Sequence, residues 1–321
     1  MKLRIRLAVV GTGLIFQQYN QAINWLNRNG SMSIEMVAAV NRTEESNIKA
    51  RNQYGISRTY TSVAEMMQQE TVDGVLLLVP PHHICELSLS LLHYRVPLLI
   101  EKPPGICSDE ARLIARYSEQ FNTPVMVGFN RRFYSIVKKA KSIIDQMGGL
   151  LGMRMDAFER YRIYRENNMD ASKLESLFST NTIHCIDLIR FYTGDIAHIN
   201  SFNNNLMAEP SNHRYASLIV SKSNIPVTFQ AYWHAMGNWN YELYIPDGKI
   251  HFTNLEQAYF HSRGAEPVEI LPDRCDLEAK AGFASQLEYF IAVIRQEKSV
   301  DKMSIHDAIH TFELVEQLKA P

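Results

Sequence analysis

The sequence predicts an α/β protein in two parts, a doubly wound parallel half followed by a half rich in antiparallel hairpins. Three observations carry that expectation. Short apolar runs alternate with amphipathic segments over the first 130 residues, the pattern of helices covering both faces of a parallel sheet. Gly11-Thr12-Gly13 stands directly between the first apolar run and the first amphipathic segment, where the opening βα turn of such a sheet belongs. After Gly148-Gly149 the texture changes to longer alternating runs rich in Tyr, Phe and Thr, joined by turn signals.

Element by element, the first half reads as strands at Ile5 to Val10, Ile34 to Val40, Val72 to Val79, Val96 to Ile100 and Pro124 to Phe129. Ile15, Phe16, Tyr19, Ala22, Ile23 and Leu26 recur at helical spacing, as do Leu87 and Leu91, which marks the intervening segments as helices. Ser108, followed by Asp109 and Glu110, reads as a helix N-cap with an acidic first turn. In the second half, Ala216 to Val220 pairs with Val227 to Trp233, and Tyr241 to Ile245 with Lys249 to Thr253 across Pro246-Asp247-Gly248. Ile183 to Tyr192, Phe283 to Gln296 and Ser304 to Leu318 read as helices.

Composition narrows the class. At 321 residues, with 46% hydrophobic and 21% charged positions, the chain can bury a core and suits two domains at roughly 100–200 residues each. Lys and Arg number 33 against 34 Asp and Glu, a net charge of −1, so there is no global field for nucleic acid or an anionic membrane. The four cysteines, Cys85, Cys107, Cys185 and Cys275, are scattered without a C-x-x-C pair and read as reduced thiols. The basic start Met1 to Arg6 superficially resembles a signal peptide, but Gly11 and Gly13 interrupt the apolar run and polar residues follow. Val75 to Val79 is far too short to span a membrane. A cytoplasmic protein is expected.

Four motifs can carry chemistry. Gly11-Thr12-Gly13, with Leu14 and Ile15 opening the helix, can hold a pyrophosphate on exposed helix amides; a plain strand-to-helix turn would look the same. At the end of the second strand stand Asn41, Arg42 and Thr43 in place of an acid. An acid there binds a ribose 2′-hydroxyl, whereas arginine suits a 2′-phosphate, so NADP(H) is favoured over NAD(H). Glu101-Lys102-Pro103-Pro104 ends a strand at the carboxyl edge of the sheet, where open α/β folds bind ligands; a surface ion pair is the alternative. His184 and Asp187, spaced i, i+3, share a helix face, and a lone histidine there would ordinarily be structural.

Together these motifs change the reading. Gly11-Thr12-Gly13, Glu101-Lys102-Pro103, Gly128-Phe129-Asn130-Arg131-Arg132-Phe133 and His184-Cys185-Ile186-Asp187, in that order and spacing, resemble the Gfo/Idh/MocA oxidoreductase family over nearly the whole chain. The resemblance implies a Rossmann domain at 1–123, a substrate-binding and oligomerisation domain with a large open, mainly antiparallel sheet at 124–302, and a C-terminal helix at 303–321 returning to the first domain. It implies a homodimer or homotetramer through that sheet. It also implies that Lys102 hydrogen-bonds the reacting oxygen, that Glu101 and Lys102 touch the cofactor, and that His184 exchanges the proton. Val79 and Pro80 would edge the cofactor cleft, and Asn130 and Arg131 would approach the substrate.

Departures from the family pattern sharpen the expectations. Thr180 and Thr182 stand where many sugar and inositol dehydrogenases of the family carry an aspartate and a glycine, and Phe16 replaces the third fingerprint glycine. His82 and His83 stand near a position where family members often keep a histidine; as adjacent residues pointing apart they do not suggest a metal, and none is expected. Trp233, His234, Trp239 and Tyr241 form an aromatic wall for sugar CH groups, or else sheet core or a subunit interface. The loop from Tyr161 to Thr180 is expected to shape substrate choice. The function implied is NAD(P)-dependent hydride transfer between a hydroxyl and a ketone on a carbohydrate-like substrate such as a sugar, sugar nucleotide or cyclic polyol. The alternatives are a dinucleotide-binding sensor of the same fold and a reductase of a non-sugar.

Overall fold

A computed structural model describes residues 3–30, 32–205, 213–233 and 235–320. The chain forms two compact units, Met1–Phe133 with Arg274–Ile309 and Tyr134–Asp273 with His310–Pro321.

The first unit is a six-stranded parallel sheet. Its strands are β1 (Leu3–Val10), β2 (Met32–Val40), β3 (Thr59–Tyr60), β4 (Gly74–Leu77), β5 (Leu98–Ile100) and β6 (Val125–Val127), in the spatial order β3-β2-β1-β4-β5-β6. The order reverses between β1 and β4, which opens a crevice beyond the carboxyl ends of the strands. Leu7, Val9, Leu76 and Leu99 are fully buried because helices cover both faces. These helices are α1 (Leu14–Asn29), α2 (Glu44–Tyr54), α3 (Val63–Gln69), α4 (Pro81–Leu92) and α5 (Ser108–Gln120). α1 presents Phe16, Tyr19, Ala22, Ile23 and Leu26 to the core and stops at Gly30. α2 starts at the Thr43 cap and ends where Gly55 turns left-handed at φ 69°, a conformation open to glycine. α5 begins at Ser108 itself, with Cys107 in the cap position; the Ser108 hydroxyl instead accepts from Arg112.

The second unit begins with α6 (Ser135–Gln146), β7 (Gly152–Ala157), α7 (Tyr161–Glu166) and α8 (Ala171–Leu177). A π-helical turn at Phe178–Thr182 runs into α9 (Ile183–Thr193). Strands β8 (Ile196–Asn205), β9 (His213–Ser221), β10 (Pro226–Tyr232), β11 (Trp239–Ile245), β12 (Gly248–Thr253), β13 (Gln257–Ser262) and β14 (Val268–Glu269) complete an eight-stranded sheet ordered β14-β13-β12-β11-β7-β10-β9-β8. Both expected hairpins form, β9 with β10 and β11 with β12, and among the described residues of this sheet only β7 and β10 pair in parallel. Alternation follows the pleat: Met153, Met155, Ile219, Val227, Leu243 and Ile250 are buried, while Arg154, Thr228, Leu218 and Tyr244 face outward.

The chain then returns to the first unit with α10 (Arg274–Glu278) and α11 (Phe283–Ile294), and ends in α12 (Ile305–Lys319). The compact units change over at 133/134, 273/274 and 309/310, where the sequence reading placed boundaries at 123/124 and 302/303. Burial explains the difference. β6 pairs with β5, and α11 buries Phe283, Ala284, Leu287, Phe290 and Ile291 in one core with Tyr19, Ala22 and Leu26. Each large apolar side chain buried this way contributes about 2 kcal/mol. Gly74 leaves the space they need, since a Cβ there would lie 2.6 Å from Ile294 Cδ1. Among the described residues no helix is long and apolar enough to cross a membrane.

Candidate active site

In the first unit the turn after β1 is shaped for close approach. Gly11 has φ +93°, and a Cβ there would lie 2.7 Å from the Leu78 carbonyl oxygen and 3.1 Å from Val79 Cγ1, so only glycine fits. Gly13 is different: a Cβ on it would meet no protein atom within 4 Å, which leaves that side open. α1 carries no acidic residue in its first turn and no side-chain cap, so its leading amides are available to an anion. Leu14 is 87% exposed at this mouth, with Ile15 half-buried behind it. Phe16, in place of the third glycine, is fully buried and meets Tyr54 edge-on at 4.8 Å. A core ring therefore fills the space where the fingerprint calls for close packing.

Asn41 and Thr12 are committed to each other. Asn41 Oδ1 accepts from Thr12 N at 2.9 Å and Thr12 Oγ1 at 3.0 Å, while its amide nitrogen donates to Asn47 Oδ1 at 3.1 Å. This pair locks the glycine turn to the end of β2. Arg42 is exposed and makes no ion pair among the described residues. Thr43 accepts from Ser46 N as the α2 cap. Glu44 and Glu45 follow it; Glu44 is held by Arg51, whose hydrogen bond keeps its carboxyl below the ordinary value.

At the end of β5, Glu101 is 8% exposed and Lys102 half-buried. Glu101 Oε1 accepts from the Tyr19 hydroxyl at 2.9 Å, and Oε2 from the Lys102 N–H at 3.2 Å. Burial pushes the Glu101 carboxyl above its ordinary value, against the opposing pull of Lys102 and the two hydrogen bonds. Val79 is half-buried beside Gly11, and Pro80 caps α4. Asn130 is buried and donates to the Ala281 carbonyl at 3.4 Å, which occupies one of its two N–H groups. Arg131 is half-buried, and neighbouring Arg132 pairs with Asp307 at 2.9 Å. His82 and His83 do not diverge as expected: their rings lie 4.1 Å apart at the start of α4.

In the second unit His184 is the second residue of α9, buried, with its ring 6.4 Å from that of Trp239. Asp187, one turn on and fully buried, accepts from Thr311 Oγ1 at 3.1 Å, and Arg190 donates to the same hydroxyl at 2.9 Å. Thr180 donates to the Ser176 carbonyl at 2.9 Å, a bond within its own helix turn. A carboxylate that sequence reasoning missed stands nearby. Glu159, 2% exposed, accepts from Thr182 Oγ1 at 2.5 Å and Asn181 Nδ2 at 2.8 Å. It follows β7 directly, so an acid just past a strand end was the available signal, but its partners are more than twenty residues away.

The aromatic group divides. Tyr161 stacks on Trp233 at 5.9 Å, and Tyr241 stacks on Phe252 at 4.1 Å. Trp233 and Tyr241 are buried sheet core; Trp239 is half-buried beside His184. His234 lies outside the described residues. All four cysteines are free thiols. Among the described residues no three His, Cys, Asp or Glu side chains are grouped to hold a metal.

The glycine turn, the open helix end and the strand order make the first unit an NAD(P)-binding Rossmann domain. Residues 5–129 match the model of the Gfo/Idh/MocA oxidoreductase family with an NAD-binding Rossmann fold, and this part of the chain is similar to that family. The rhizopine catabolism protein MocA of Rhizobium meliloti is 27% identical over 216 residues, 67% of this chain and 61% of that protein. An inositol 2-dehydrogenase of Corynebacterium glutamicum is 24% identical over 198 residues, 60% of this chain and 56% of that enzyme. The chain thus spans about three fifths of the length of the curated relatives it matches. The structure of a dehydrogenase from Chromobacterium violaceum superposes with TM-score 0.84 at 17% identity, covering 99% of this chain and 95% of that one, a likeness of fold.

Proposed function

We propose that the chain is an NAD(P)-dependent oxidoreductase that interconverts a hydroxyl and a ketone on a sugar, sugar nucleotide or cyclic polyol. The observation that carries the reading is the carboxyl edge of the parallel sheet, where a turn open at Gly13 and the Glu101-Lys102 segment stand on one crevice edge. The names of the curated relatives, inositol 2-dehydrogenase among them, support the substrate class.

Bound there, the nicotinamide cofactor supplies or accepts the hydride. The residues of the chain manage charge and the proton. Lys102 stabilises the oxygen as alkoxide character develops, since an ammonium favours that charge. His184 gives or takes the hydroxyl proton, because an imidazole titrates near neutral pH. Glu159, with Thr182 and Asn181, supplies the buried carboxylate that Thr180 lacks. Tyr161 stays in the substrate half as packing for Trp233, and Asn130 and Arg131 remain assigned to the substrate side.

Arg42, which makes no ion pair among the described residues, supports NADP(H), and Glu44 is already paired with Arg51; Glu45 in the same turn weighs against an added phosphate. The outward face of the eight-stranded sheet, with exposed Phe202, Leu218 and Tyr244, supports assembly into a homodimer or homotetramer, which sedimentation would read. A cytoplasmic setting fits the free thiols.

The test is turnover of NADPH and NADH with a panel of keto-sugars and ketoinositols, followed by Lys102→Ala and His184→Ala on any substrate found. Each variant is expected to lose at least about 100-fold in kcat. Unchanged turnover in both would remove these roles, and tight cofactor binding without any hydride transfer would instead favour a sensor.

A further inference from the structure

The contacts around Glu101 assign a role to a residue outside every motif. We propose that Tyr19 is a positioning residue of the cofactor edge: its phenol holds the Glu101 carboxylate and, through it, the backbone at Lys102, in the shape that binds the dinucleotide. The inference rests on the cofactor reading above and adds to it a residue from the buried stripe of α1.

Position 19 lies on the core face of α1, where phenylalanine would serve packing equally well. The side chain is fully buried, and a buried hydroxyl must find a partner. It finds Glu101 Oε1 at 2.9 Å and Gln286 Oε1 at 3.3 Å, which ties α1, the end of β5 and α11 at one point. Tyr19 has a single proton, and the carboxylate is the nearer and stronger acceptor. The other carboxylate oxygen accepts from the Lys102 N–H, so the phenol fixes one oxygen and the backbone preceding the Lys102 side chain fixes the other.

Packing sets the geometry. Phe283 meets the Tyr19 ring edge-on at 5.0 Å, which holds the ring independently of its hydroxyl. Gly128 makes room, since a Cβ there would lie 3.1 Å from Glu101 Oε1 and 3.3 Å from Tyr19 Oη. The charged and titratable groups acting on Glu101 are Lys102 and Tyr19; Gln286 and Gly128 bring no charge. An apolar trio would fill this core at lower desolvation cost, so the polar contact is explained by what it positions.

The experiment is fluorescence titration of NADPH and NADH into wild type, Tyr19→Phe and Glu101→Gln from about pH 5 to pH 9, with thermal melts of each protein. Tyr19→Phe keeps the ring and is expected to melt close to wild type, yet to bind about 10-fold more weakly. Its acid-side loss of binding should move up by about one pH unit, because the carboxylate has lost a donor to its charged form. Glu101→Gln should lose that acid limb. Binding and pH profile of Tyr19→Phe that coincide with wild type overturn the proposal, as does an acid limb that persists in Glu101→Gln. If Tyr19→Phe does not fold, Gln286→Leu reads the same contact: it leaves Glu101 the sole acceptor of the phenol proton, so its acid-side loss of binding is expected to move down in pH, and no shift overturns the proposal. Wild type that binds neither cofactor at any pH would instead bring down the cofactor reading itself.

Discussion

Two carboxylates of nearly equal exposure, Glu101 at 8% and Glu242 at 9%, sit in opposite electrostatic settings. Glu242 projects from the open face of the antiparallel sheet. Burial alone would raise its carboxyl, but Lys249 and Tyr244 each donate to it at 2.6 Å, Arg154 stands at 3.7 Å, and together they bring it down to about 2. Glu101, at the edge of the parallel sheet, has a phenol, one backbone N–H and the Lys102 charge, and burial wins. The sheet face is balanced within itself, as a structural network should be. The strand edge carries a carboxylate that burial raises despite its two hydrogen bonds and the Lys102 charge.

The strongest way to sharpen this contrast is at the backbone. Gly11→Ala puts a Cβ 2.7 Å from a carbonyl at φ +93°, and we expect loss of about 3 kcal/mol with no measurable dinucleotide binding. Gly264→Ala, at φ +76° in the second unit but with nothing within 4 Å, should cost only about 1 kcal/mol and leave binding intact. Chemical denaturation alongside cofactor titration reads both. Equal effects would mean the first turn is not specially built.

Next comes the carboxylate pair itself. The folded value of Glu242 is depressed, so its stabilisation is present above the ordinary carboxylate range near pH 4.5 and disappears as pH falls toward 2. Glu242→Gln should therefore lose about 1 kcal/mol at neutral pH, allowing for solvent screening, with the deficit vanishing in acid and cofactor affinity unchanged. The folded value of Glu101 is raised, so its cost is absent below the unfolded value and grows as pH rises through the folded one. Glu101→Gln should melt higher than wild type at pH 8 while binding cofactor less well. Melts that shift in the same direction for both variants would break the contrast.

A separate effect is expected at Glu159. Thr182→Val removes one of its donors and should cost about 1–2 kcal/mol by leaving a buried carboxylate short of a partner. Urea melts that match wild type would show the carboxylate to be satisfied without Thr182.

Much of the fold was legible because periodicity is local. The alternation of Ile219, Val227 and Leu243 with outward-facing neighbours, and the α1 stripe from Phe16 to Leu26, require only adjacent residues to be read. The unit to which α11 belongs was not, because Phe283, Leu287 and Phe290 announce burial without naming the core they enter. The glycine turn and the Glu101-Lys102 segment were visible as motifs. What escaped was pairing at a distance: Tyr19 with Glu101 across 82 residues, and Glu159 with Thr182 across 23. The Asn41 side chain accepts from Thr12, a partner that composition at a strand end does not announce.

The most direct measurement is a stoichiometric titration of the purified protein with NADPH and with NADH, run on wild type and Arg42→Ala. The account predicts one dinucleotide bound per chain, NADPH the tighter, with Arg42→Ala weakening NADPH by about 10-fold and leaving NADH nearly unchanged. Binding of neither dinucleotide by the folded wild-type protein would contradict it.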